Sequence, residues 1–300
     1  MEPAAVSTKR KSNSAVDEDD GGAGGSNSNS SSKKVAASGE GNRPNAAPAI
    51  HYDISKEEAG CEDDIAQLIG LLSSDTATAE AQENAAGALM NLALRDASRT
   101  IIADNNGIVP LIDLLSSDTA TSQSKEYAAG ALMNLAVHDN YRKIIADNKG
   151  IAPLIDLLSS GTAKAKENAA GALLRLSENY KSEMAIASNN GIAGLIDLLS
   201  SVTATALAQE NAAGVLMNLA VRDASRTIIA DKKGIAPLID LQSSGTATAK
   251  AKENATVALS RLLADNLKTD LPSSGTATAE LVHGDNQTQN GKRPNSSNQV

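Results

Sequence analysis

The chain has no tryptophan and no phenylalanine, and its 300 residues include only four tyrosines. Any core must therefore be assembled from Leu, Ile, Ala and Met, and such small side chains fill space only where helices approach closely. One cysteine, Cys61, excludes an internal disulfide and has no spaced partner for a zinc site. The histidines His51, His138 and His283 are scattered, and no glycine-rich phosphate loop precedes a Lys-Ser/Thr pair. An enzyme would need a constellation that breaks the repetition described below, and none is found; no catalytic residue, metal or cofactor is expected. No apolar run reaches the roughly 18 residues of a membrane span, and no signal-peptide pattern opens the chain. The expectation is a soluble, cytoplasmic protein. The cluster Lys9-Arg10-Lys11 reads either as solvating charge or as a nuclear address, which keeps the nucleus as a second location.

The net charge of -9 is carried by the middle of the chain. Residues 1–52 hold six basic and six acidic side chains, and residues 269–300 hold two and three, so the body between them is -8. Such a body repels nucleic acid and anionic membranes, because phosphate neutralisation by basic surface supplies most non-specific affinity. Eleven of the twelve residues from Gly21 to Ser32 are Gly, Ser or Asn, a composition that cannot bury a core. The organisation expected is a disordered tail over 1–52, a folded body over 53–268, and a second disordered tail over 269–300.

The body repeats itself. The segment Glu83-Asn84-Ala85-Ala86-Gly87-Ala88-Leu89-Met90-Asn91-Leu92-Ala93 returns in variant form at Glu126, Glu167, Glu210 and Glu253, at intervals of 43, 41, 43 and 43 residues. A fixed period of this size is the mark of a solenoid. Ala85, Leu89 and Leu92 share one apolar helical stripe that must be buried, while Asn84, Gly87, Asn91 and Arg95 form a second, small or polar stripe left to face whatever the stacked helices enclose. A second landmark, Leu-Ile-(Asp/Gly)-Leu, recurs at Leu68, Leu111, Leu154, Leu195 and Leu238. Pro110, Pro153 and Pro237 fall in the first turn of that helix, where a missing N–H does little harm. Its distance to the following Glu is 15 residues, except in the third unit, where it is 13, so the deletion sits in the Ser-Ser-x-Thr-Ala break between the two helices. Ahead lies a brief helix such as Ser98–Asn105, ended by Asn106-Gly107, with Gly107 supplying the positive φ of a corner. Each unit reads as a short first helix, a corner, a second helix, a loop and a long third helix. Past Leu263 another unit starts at Ala264-Asp265-Asn266 and breaks off, as an eroded remnant.

The segments Asn-Asn-Gly-Ile-Val-Pro-Leu-Ile-Asp-Leu-Leu and Glu-Asn-Ala-Ala-Gly-Ala-Leu-Met-Asn-Leu-Ala resemble the second and third helices of armadillo repeats, from about Asp53 to Lys268. The Gly-Thr-Ala-x-Ala-Lys-Glu-Asn-Ala wording of units three and five is similar to armadillo arrays of plant U-box proteins and to stand-alone armadillo proteins of lower eukaryotes. The resemblance implies an all-α, right-handed superhelix of five repeats that binds an extended partner segment in its groove without catalysis, as a monomer. The alternative is a substrate-recruiting subunit of a ubiquitin ligase that lacks its own U-box. Capture of basic peptides in the importin-alpha manner is disfavoured, since the tryptophan four residues before the ladder Asn is replaced by Gly87, Gly130, Gly171, Gly214 or Val257.

The resemblance gives a groove role to the ladder positions Asn91, Asn134, Arg175, Asn218 and Arg261, whose amides and guanidinium groups can pair with the groups of an extended ligand. A row seven residues earlier holds Asn84, Tyr127, Asn168, Asn211 and Asn254, and Arg222 lies one turn beyond. The four mid-helix glycines admit either a ligand backbone or a close neighbouring helix, the latter preferred. Arg95, His138, Arg175, Arg222 and Arg261 on this face suit a ligand that is acidic, phosphorylated or a free C-terminus.

Overall fold

The structure, a computed structural model, describes residues 61–269 and the side chains of 62–264. Most of the expected tails, the first short helix near Ser55, the Lys9-Arg10-Lys11 cluster and the repeat remnant from Asp270 lie outside the described residues. Within them the chain forms fourteen helices and no strand. Unit 1 supplies α1 (Cys61–Leu72) and α2 (Ala79–Leu92). Unit 2 supplies α3 (Asp96–Asp104), α4 (Ile108–Ser116) and α5 (Ser122–Leu135). Unit 3 supplies α6 (Asp139–Asp147), α7 (Ile151–Ser160) and α8 (Ala163–Leu176). Unit 4 supplies α9 (Tyr180–Ser188), α10 (Gly191–Ser200) and α11 (Ala206–Leu219), and unit 5 supplies α12 (Asp223–Asp231), α13 (Ile235–Ser243) and α14 (Ala249–Thr269).

The third helices are started by threonine. The hydroxyls of Thr78, Thr121, Thr162, Thr205 and Thr248 accept from N–H groups three residues on, and so satisfy donors that a helix start leaves over. In four units the cap is preceded by a small turn held by a Ser-Thr hydroxyl pair such as Ser74 and Thr76. The third unit lacks the two residues of that turn, and Thr162 becomes the cap directly after Gly161.

The apolar stripe is buried as its spacing predicts: Ala85 and Leu89 are fully enclosed, and so are their counterparts in every later unit except the slightly exposed Leu259. Third helices pack side by side in chain order, and each second helix packs on the third helix of its own unit. The core is thus one continuous body of Leu, Ile and Ala, with no aromatic residue at its centre.

The corners differ from expectation. Positive φ falls on Asn106, Lys149, Asn190 and Lys233, one residue before each glycine, while Gly107 itself is in the right-handed region. The glycine is needed for room. A Cβ on Gly107 would lie 2.8 Å from Ile69 Cδ1 and 2.9 Å from the Ile102 carbonyl oxygen, and Gly150 and Gly234 meet the aligned atoms equally closely. The corner therefore places a left-handed residue where most side chains are strained, and follows it with a glycine because the preceding unit's isoleucine presses on the backbone.

Three third helices are closed by an arginine from the next first helix. Arg99, Arg142 and Arg226 donate to the carbonyls of Ala93, Ala136 and Ala220 and pair with Asp96, Asp139 and Asp223. In unit 3 the chain turns instead through Asn179, which caps α9. Unit 5 has Thr269 at the arginine position, and α14 does not stop: it runs for 21 residues, against 14 in its counterparts. The new unit expected at Ala264-Asp265-Asn266 is a continuation of that helix.

Lys149→Gly should raise stability by about 1 kcal/mol, since it removes a left-handed side-chain residue. Gly150→Ala should lower it by about 1–3 kcal/mol through overpacking against Ile112 and Ile145. Urea denaturation of the two variants, with opposite signs one residue apart, checks the assignment of the corner.

Candidate functional site

The outward stripe of the third helices is a series of joints, each built the same way. At its start, the capping threonine of one helix donates to the glutamate of the helix before: Thr121 to Glu83 at 2.6 Å, Thr162 to Glu126 at 2.6 Å, Thr205 to Glu167 at 2.7 Å and Thr248 to Glu210 at 2.5 Å. Six residues on, an Asn amide donates across three of the joints: Asn168 to the Glu126 carbonyl at 3.0 Å, Asn211 to that of Glu167 at 3.4 Å and Asn254 to that of Glu210 at 3.2 Å. These three asparagines are buried. The row Asn84, Tyr127, Asn168, Asn211 and Asn254 is thus mostly structural. Only Asn84, which has no third helix before it among the described residues, is exposed, while Tyr127 is half-buried with its ring over Gly87.

The mid-helix glycines lie in these joints. A Cβ on Gly130 would stand 2.6 Å from Met90 Sδ and 3.0 Å from the Asn168 amide. Gly171 is held in the same way by Met133 and Asn211, and Gly214 by Leu174 and Asn254. Neighbouring helices fill the space, and a roughly 1 kcal/mol helix penalty per glycine is offset by close packing.

The ladder positions come together further along the same face. Asn134 donates to the Met90 carbonyl at 3.1 Å, Asn218 to the Ser177 hydroxyl at 2.9 Å, and Arg261 to the Met217 carbonyl at 2.5 Å, and all three are half-buried. Asn91 is exposed at the end of the row. Arg175, in the middle, is exposed, and its side chain makes no hydrogen bond or ion pair among the described residues. It is the ladder residue that does not tie back to its neighbour.

The turn beyond the ladder is already paired. Arg222 lies 4.3 Å over the Tyr180 ring and 3.0 Å from Glu183. His138 stands 3.2 Å from Asp96, and Arg99 first, then His138, hold the Asp96 carboxyl below its ordinary value. Beside them a row absent from the sequence reading comes into view: Leu94, Val137 and Val221 are exposed at one aligned position, where unit 3 has Glu178, paired with Arg142. Its signal was the recurrence of an apolar residue three places after the ladder position. No group of His, Cys, Asp or Glu among the described residues is placed to hold a metal, and no described helix is long and apolar enough to cross a membrane.

A family model described as Armadillo/beta-catenin-like repeat matches residues 138–178, which span α6 to α8. Among solved structures, an engineered protein is 30% identical, with 66% of this chain and 79% of that one covered at a TM-score of 0.59. Computationally designed armadillo repeat proteins for modular peptide recognition are 21% identical over 66% of this chain and 82% of theirs, at 0.60. The chain belongs to the armadillo-repeat family. A further armadillo neighbour, a designed protein in complex with the peptide (KR)4, is 19% identical over 67% of this chain and 82% of its own, at 0.58. Curated proteins give no match. In armadillo terms the described helices are four complete repeats and the last two helices of a first.

Asn211→Ala should weaken this armadillo stack by about 1 kcal/mol, the net worth of one hydrogen bond, and Thr205→Val by about 2 kcal/mol, since it removes the cap of α11 as well as the bond to Glu167. Arg175→Ala should change stability by less than about 0.5 kcal/mol, as an exposed side chain with no partner. Urea melts followed by helical circular dichroism separate the joint residues from the free one.

Proposed function

We propose that this armadillo solenoid is a non-catalytic scaffold that takes an extended segment of a partner protein along its third helices, and that the segment is acidic, phosphorylated or ends in a free carboxylate. The observation that carries the reading is Arg175. It holds the ladder position of the middle unit and leaves its own joint to stand in solvent, between the half-buried amides of Asn134 and Asn218. A guanidinium presents two parallel donors that match a carboxylate or phosphate. Each flanking amide keeps its carbonyl oxygen and a second N–H, enough to pair with the peptide groups of an extended chain. Asn91 offers a further free amide toward the end of the row.

A designed armadillo protein forms a complex with (KR)4, which supports an extended peptide as ligand for this fold. Here the free ladder group is a cation, so the preferred charge is reversed. Arg222 and Arg261 are engaged within the protein and form the rim of the site, with Arg175 as its anchor.

Fluorescence anisotropy with a labelled (Asp-Glu)4 peptide, its phosphoserine counterpart and (KR)4 tests this. Arg175→Glu should weaken the acidic probes about tenfold or more, a change of about 1.4 kcal/mol, and rising salt should weaken them further. Lys143→Glu, an exposed cation on α6, should have little effect. Arg99 is unsuited as a control, because it is buried and closes α2. An affinity indifferent to Arg175 and to salt, or a preference for (KR)4, refutes the electrostatic site.

A further inference from the structure

Every internal joint has two halves. The leading side of a third helix brings donors: a threonine hydroxyl in all four joints, an asparagine amide six residues on in three of them, with Tyr127 in its place in the first, and an amide or guanidinium at the ladder position in three of the four. The trailing side of the helix before it brings a glutamate carboxylate and backbone carbonyls. At the two ends of the described array one half is left over. On α2 the donor positions are Thr78, Asn84 and Asn91, all exposed, and neither asparagine side chain has a hydrogen-bond partner among the described residues. Gly87 is only half-buried, whereas Gly130, Gly171 and Gly214 are buried beneath a side chain from the preceding helix. At the other end, Glu253 is exposed and pairs with Lys250 of its own helix. Ile239 of α13 is 46% exposed, although Ile69, Ile112, Ile155 and Ile196 are between 5% and 8% exposed beneath the next unit.

We propose that the leading face of α2 is a docking surface for the trailing face of α13 and α14 in a second copy of this chain, so that the internal joint is reproduced between molecules. The donors of one end match the acceptors of the other, position for position, because both ends are copies of a contact made four times inside the chain. Val257 sets the strength. It stands where the other four units have glycine, and in their joints the next unit's asparagine amide or tyrosine ring lies 3.0–3.2 Å from the Cβ position. The valine methyls occupy that space, so the contact between copies is weaker than the one within a chain. The two patches are different, and the contact therefore grows open rows of molecules rather than closed pairs.

Sedimentation velocity and light scattering on the full chain across a wide concentration range test the proposal. Weak reversible association is expected for the wild type, tightened about tenfold or more in Val257→Gly, with Val257→Ala in between. The head variant Asn84→Ala/Asn91→Ala should be monomeric with unchanged helicity, since both side chains are exposed and neither caps a helix. Mixed with the tail variant Ile239→Ser/Glu253→Ala, it should form pairs that grow no further, because each copy keeps one working end. Monomers at every concentration for both wild type and Val257→Gly overturn the proposal. So does association that survives in the head variant alone.

Discussion

The contact between successive third helices governs the rest of this protein. It needs a glycine on one helix, so that a methionine or leucine from behind and an asparagine or tyrosine from ahead can meet over bare backbone. That approach brings the Asn amide within reach of a carbonyl on the neighbouring helix and the capping threonine within reach of its glutamate. The same threonine starts its own helix, so one hydroxyl links local order to the stacking of units. Without aromatic side chains to span wider gaps, the chain depends on this closeness, and its alanine-rich core follows from it.

Much of the fold could be read from the chain because a 43-residue period repeats every signal five times. The stripe Ala85, Leu89, Leu92 gave the buried face, and the shortened interval in unit 3 gave the location of its two-residue deletion. The site was harder. Helical spacing shows which residues share a face, and it does not show how much of that face the next helix covers. Asn168 and Asn211 share a stripe with Arg175, yet a neighbouring helix lies over them and not over Arg175. The corner misled for a related reason: glycine after Asn106 suggested a positive φ, when its missing side chain makes room for Ile69. Where the first helix of a unit ends the helix before it, through Arg99 and its counterparts, the effect is long-range and invisible to a periodic pattern. The run of α14 through Asp265 was missed on that account.

Identical joints also limit what the face can be used for. A ladder residue that bonds to its neighbour supports the stack and has less to offer a ligand, as Asn134 and Arg261 show. The exposed row of Leu94, Val137 and Val221 lies alongside, interrupted by Glu178 in the same unit that frees Arg175. Unit 3 departs from its neighbours in charge at both places, which gives an otherwise uniform surface a centre.

That centre sits where the array can best tolerate it. In a linear stack each unit is held only by its neighbours, so units at the ends open first and interior ones open last. Leaving out the ladder bond of α8 removes one tie from the joint between α5 and α8, which keeps its threonine and asparagine bonds and has further repeats on either side. The same omission at α14 would loosen a helix that has a third helix on one side only among the described residues. Position along the stack thus acts as a variable in its own right: the middle of a solenoid is the place where a bond can be exchanged for a binding group while the surrounding helices stay closed.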